Sequence, residues 1–139
     1  LVGDAMHNLV DGVLIAAAFL TDPALGVTVT LAVIAHEIPQ EVGDFMVLLE
    51  SGYTRGRALM LNALSSLTAV IGGVAGYFAL SAAQSVVPYV LAVSAASFIY
   101  IAIADLVPNL HRSTDVKQSA VQFVLILAGI ATMFSAHQH

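Results

Sequence analysis

The sequence predicts an all-α, polytopic membrane helix bundle, and three observations carry that prediction. Of 139 residues, 59% are hydrophobic and only 9% are charged, whereas ordinary soluble domains are about 25% charged. A soluble domain of this size exposes much of its surface and needs charge to cover it. Five apolar stretches of about 20 residues each, enough for one helical crossing of the hydrocarbon core, follow one another along the chain. They are continuous rather than alternating with period two, so they fit helices and not barrel strands.

The stretches cover residues 1–20, 24–49, 58–83, 86–107 and 119–136. The third and fifth contain no charged residue. The breaks between them carry turn and cap chemistry: Thr21-Asp22-Pro23, Glu50-Ser51-Gly52, Ser85 to Pro88, and the polar run Asn109 to Gln118. Links this short pack successive spans as antiparallel neighbours within one transmembrane domain, residues 1–139. Leu1 already lies inside an apolar run, with neither a charged n-region nor a cleavage site. The chain therefore reads as part of a longer polytopic protein.

Charge placement gives orientation. Arg55 and Arg57 lie between spans two and three, and Arg112 and Lys117 between spans four and five. Both links fall on one side of the membrane. The positive-inside rule puts loops 50–57 and 109–118 in the cytoplasm and the C-terminus outside. The same composition excludes other classes. The absence of Cys removes disulfides and thiolate metal sites, and four basic residues leave no surface for nucleic acid. So much apolar sequence also excludes disorder.

Two spans break the apolar pattern. Span one carries Asp4, His7, Asn8 and Asp11; span two carries His36, Glu37, Gln40, Glu41 and Asp44. Ionisable groups at membrane depth are costly and mark pathways or sites. His7 and Asp11 are four residues apart and share a helix face, as do His36 and Gln40. Asn8 and Glu37 sit one step round from the two histidines. On antiparallel neighbours these faces converge. Imidazole nitrogen with carboxylate and amide oxygen suits Zn²⁺, Fe²⁺ or Mn²⁺. Without thiolate the site is weak enough to release its ion, as a carrier requires.

Pro39 lies between His36 and Gln40 and predicts a helix kink, with a strained carbonyl at Ala35. Gly43 adds a second soft point. Asp4 reads equally as a terminal charge or as a ligand on the exit path. Asp105, before Pro108, reads as a helix-end charge, His111 as a solvated loop residue, and His137 with His139 as a frayed tail. Gly72, Gly73 and Gly76 predict close helix packing. Asn62, Ser65 and Ser66 read as packing or hydrogen-bonding groups.

The segments His7-Asn8-x-x-Asp11-Gly12 and His36-Glu37-Ile38-Pro39-Gln40-Glu41-Val42-Gly43-Asp44 together resemble the ZIP (Zrt/Irt-like) family of divalent metal transporters. The second is similar to the branch signature His-Glu-x-Pro-His-Glu-x-Gly-Asp. The resemblance covers the whole chain and implies helices four to eight of an eight-helix protein. It implies a primary metal site of His7, Asp11, His36 and Gln40, with Asn8 and Glu37 at an adjoining site bridged by Asp11. It further implies transport of a divalent cation, zinc first and iron or manganese after it, into the cytoplasm. The partners are then the cation and the lipid bilayer, and a homodimer is compatible. Gln40 departs from the branch pattern, which has His there; a neutral amide oxygen binds zinc more weakly than imidazole. Span three also lacks the acid that some relatives place there.

Three functions compete. A carrier moves the ion and does no covalent chemistry, so it is not an enzyme. An intramembrane zinc protease is suggested by His36-Glu37-x-x-Gln40, one residue away from His-Glu-x-x-His. A structural membrane subunit would use the polar seam only to hold helices together.

Overall fold

A computed structural model describes residues 1–101, 103 and 116–136. The described chain is helical: α1 spans Val2–Thr21, α2 Pro23–Glu50, α3 Arg55–Ala82, α4 Val87–Ile101 and α5 Val116–Ala136, with a single 3₁₀ turn at Gln84–Val86. Each of the five expected spans has its helix. The C-terminal end of the fourth span, with Asp105 and Pro108, lies outside the described residues, as do His111, His137 and His139. By length and composition, α1 and α3 are each able to cross a membrane. Helix α2 has the length of α3 but carries the polar cluster.

The helix ends are set locally. At the α1–α2 break the Asp22 backbone N–H donates to the Ala18 carbonyl, ending α1. Its Oδ1 then accepts from the N–H groups of Ala24 (2.9 Å) and Leu25 (3.0 Å), and Pro23 occupies the first helical position. This is an N-cap followed by a proline whose missing N–H costs nothing there. At the α2–α3 break Gly52 adopts φ +88°, which a side chain would oppose. Helix α3 begins at Arg55, three residues before its apolar run, because a helix ignores the polarity boundary that hydropathy detects. Helix α2 continues through Pro39 as one helix.

Residues Leu1–Leu91 form one compact unit and Ala92–His139 another. In the first, α1 is the central helix. It packs most extensively on α3, less on α2, while α2 and α3 meet least. Glycines permit the α1–α3 approach. A Cβ on Gly12 would lie 1.9 Å from the Ala69 carbonyl oxygen, and one on Gly72 would lie 2.0 Å from that of Leu9. The helices are therefore in backbone contact, as expected from the glycine run on α3. Thr68 Oγ1 adds a hydrogen bond to the Ala5 carbonyl at 2.6 Å. Around Ala17, Leu80 and Val87 an apolar cluster closes the far end, with Val13, Leu20, Val90 and Leu91 packed on it. Elsewhere large apolar side chains face outward, including Leu31, Ile34, Ile38, Val42 and Met46 of α2. In the second unit, α5 does the same with Val121, Phe123, Val124, Leu127 and Ile130. Such outward faces suit a hydrocarbon solvent.

Candidate metal centre

The polar residues of α1 and α2 meet on the side of α1 away from the glycine seam. Four-residue spacing stacks Asp4 under Asn8 and His7 under Asp11, and on α2 places His36 beside Gln40 and Gln40 beside Asp44. The helices run antiparallel, so Asp11 comes level with His36, His7 with Glu37, and Asp4 with Gln40. Two polar layers result.

The upper layer holds His7, Asp11, His36 and Glu37. One ligand atom from each of the four lies within 4.8 Å of all the others. His36 Nε2 is 2.9 Å from Asp11 Oδ2 and 3.4 Å from Glu37 Oε1. His7 Nε2 is 3.7 Å from the same Asp11 oxygen and 3.5 Å from the same Glu37 oxygen. The imidazoles meet edge to face, centroids 5.6 Å apart. His36 Nδ1 contacts the Ala32 carbonyl at 3.1 Å. A carbonyl only accepts, so Nδ1 carries a hydrogen toward Ala32 and Nε2 is the ring nitrogen that faces the carboxylates. The Asp11 side chain is only 4% exposed. His7 Nε2, Asp11 Oδ2 and Glu37 Oε1 are buried and enter no well-aligned hydrogen bond among the described residues. Uncompensated carboxylates in such a place cost several kcal/mol, and lone pairs converging on one point are what a bound cation or shared protons would satisfy.

The lower layer is organised by Asp4. Its Oδ1 accepts from Asn8 Nδ2 at 3.2 Å and from Gln40 Nε2 at 3.1 Å. Asp44 of α2 and Ser65 of α3 stand beside the same carboxylate. All six residues expected at the metal site thus lie along one seam. The structure gathers them differently from the grouping that the resemblance implies: Glu37 stands with His7, Asp11 and His36, while the amides of Asn8 and Gln40 turn their nitrogens to Asp4. The role of Asp4 was legible only as a four-residue spacing to Asn8; its partner on α2 is 36 positions away.

A third group fastens α2 to α3. Asn62 Nδ2 donates to the Glu41 carbonyl at 2.9 Å, and the Ser66 hydroxyl donates to the Glu41 carboxylate. Asn62, Ser65 and Ser66 are hydrogen-bonding groups, as their positions on an otherwise apolar helix predict.

Comparison with known proteins places this seam in context. Residues 1–136 match the family model described as ZIP Zinc transporter. The chain is 40% identical over 116 residues to Zinc transporter ZIP6 of Homo sapiens, covering 83% of this chain and 15% of that protein. It is 37% identical over 134 residues to Zinc transporter foi of Drosophila melanogaster, covering 96% of this chain and 19% of that protein. With Zinc transporter zipt-7.2 of Caenorhabditis elegans the identity is 33% over 138 residues, covering 96% and 30%. The chain spans less than a third of the length of these relatives. No solved structure matches it at a significant level. The match over nearly the whole chain, together with an all-helical fold and a buried seam of His, Asp and Glu, establishes that this chain belongs to the ZIP zinc transporter family of integral membrane proteins.

Proposed function

We propose that these helices form the ion-conducting part of a carrier that moves Zn²⁺ toward the cytoplasm, with Fe²⁺ or Mn²⁺ as further substrates. One observation carries this reading: two imidazoles and two carboxylates from adjoining helices bring ligand atoms within 4.8 Å of one another in an otherwise apolar bundle. The cation is cargo. His7, Asp11, His36 and Glu37 would hold it through nitrogen and oxygen, a borderline donor set without thiolate that binds and releases first-row ions. Asn8 and Gln40 would add amide oxygens from the layer below. Pro39 would ease α2 at this depth, since it removes one intrahelical donor beside the site.

The orientation proposed from Arg55 and Arg57 puts Asp4, Gln40 and Asp44 on the cytoplasmic side of the imidazoles. The ion would then pass from the histidine layer to the layer of the Asn8 and Gln40 amides on its way in. The arrangement favours a carrier over a protease. The second imidazole beside His36 comes from α1, not from position 40 of the same helix, where a protease motif would put it.

Metal uptake by the full-length protein tests the proposal. Uptake of Zn²⁺ that is lost in both His36→Ala and Asp11→Ala supports it, with surface expression as the control for folding. Unchanged uptake in both variants would refute it, and cleavage of a membrane substrate would favour the protease.

A further inference from the structure

The Asp4 carboxylate lies in the seam, but the carrier reading does not use it as a ligand. It is not among the four residues whose ligand atoms converge. Its Oδ1 instead accepts two hydrogen bonds, one from the side-chain amide of Asn8 on its own helix and one from that of Gln40 on the neighbouring helix. Asn8 is 2% exposed, so water does not replace this contact.

An amide has two chemically opposite ends. Its oxygen binds a cation; its NH₂ group donates and repels one. A carboxylate only accepts, so each amide that reaches Asp4 must do so through nitrogen. That choice commits the NH₂ end and leaves the carbonyl oxygen as the end available to an ion. A ligand-orienting hydrogen bond of this kind is a recurring device around metal sites. It matters most for Gln40, whose flexible side chain stands where an imidazole, with its rigid ring, occurs in the related signature. We infer that Asp4 is a positioning residue: its carboxylate fixes the flip of the Gln40 amide and, together with its own backbone carbonyl, which also accepts from Asn8 Nδ2 at 3.2 Å, that of Asn8, and so turns two ambivalent side chains into oxygen donors for the transported cation. The inference rests on the ligand set proposed above.

The test is Zn²⁺ uptake by the full-length protein, read as KM and maximal rate with surface expression measured in parallel. Asn8→Ala and Gln40→Ala are each expected to raise KM. Asp4→Ala is expected to raise it by roughly 10-fold, the scale of lost outer-sphere partners. Asp4→Asn, which keeps an acceptor oxygen of the same shape, is expected to restore most of that loss. The decisive arm is Asp4→Ala placed in the Asn8→Ala/Gln40→Ala background. If Asp4 works through the amides, the added substitution leaves KM where the double variant put it. A further rise of the same size as in the wild type would show that Asp4 touches the ion or serves only the fold, and would overturn the inference. Loss of uptake in His36→Ala with unchanged KM in Asn8→Ala and Gln40→Ala would overturn it too, while leaving the carrier reading intact. Full uptake in His36→Ala would remove the carrier reading and this inference with it.

Discussion

Toward α3, helix α1 presents Gly12 and the backbone of Leu9; toward α2, it presents Asp4, His7, Asn8 and Asp11. The first face is in backbone contact, with no room for a methyl group at Gly12 or Gly72. The second is less extensive, and in it His7 Nε2, Asp11 Oδ2 and Glu37 Oε1 are buried without an aligned hydrogen bond among the described residues. In lipid the hydrophobic effect does not drive helices together, so association comes from close packing and polar contacts. Here close packing dominates one side of α1, reinforced by the Thr68 hydrogen bond to the Ala5 carbonyl, and contacts between polar side chains dominate the other. The tight face can fix the position of α1, and the polar face is the one that we propose binds and releases the ion.

The most forceful way to break this division is to put a side chain into the tight face. Gly12→Leu drives a branched side chain into the Ala69 carbonyl and should cost at least about 3 kcal/mol. Loss of folded protein in detergent, followed by thermal unfolding, checks it; an unchanged melting temperature would mean the seam is not close-packed. Removal of Asp11 or His36 should act on the other face alone. Either alanine variant is expected to lower Zn²⁺ affinity by roughly 100-fold or more, since a ligand is worth at least as much as its supporting partners. Folding should persist in both, and calorimetric metal titration of the purified protein reads the affinity.

Acidification sharpens the comparison without a mutation. Imidazole nitrogens and carboxylate oxygens bind a metal only when deprotonated, so binding releases protons. Affinity should fall continuously from about pH 8 to about pH 5, the range in which imidazoles titrate. Equal affinity at the two ends would contradict histidine ligation, whereas the stability of the α1–α3 seam should barely respond. The smallest effect is expected where α2 meets α3. Asn62→Ala removes the hydrogen bond to the Glu41 carbonyl and should cost about 1 kcal/mol, in the range of interhelical hydrogen bonds in membranes. A double-mutant cycle with Ser66→Ala measures whether the two groups act together on Glu41.

Much of this was readable from residue order. The cap at Asp22 followed by Pro23, the turn at Gly52 and the five helical stretches follow from local chemistry, because each depends on neighbours within a few positions. The helix boundaries differ by up to three residues, as at Arg55, since apolarity marks the membrane-facing part of a helix and not its hydrogen-bonded extent. The pairings His7 with Asp11 and His36 with Gln40 follow from helical period alone.

What residue order determined, then, was which side chains share a face: the period of 3.6 residues requires it of any helix. It left open how far one helix slides along another and how it is turned. Tertiary packing decided that. The glycine contact at Gly12 and Gly72 sets the rotation of α1, and the antiparallel register sets which depth of α2 it meets. From these two choices come the placement of Glu37 against both imidazoles and of Asp4 against the amides of Asn8 and Gln40. The contacts of Glu37 with His7 and of Gln40 with Asp4 join residues 30 and 36 positions apart, so no local rule could specify them.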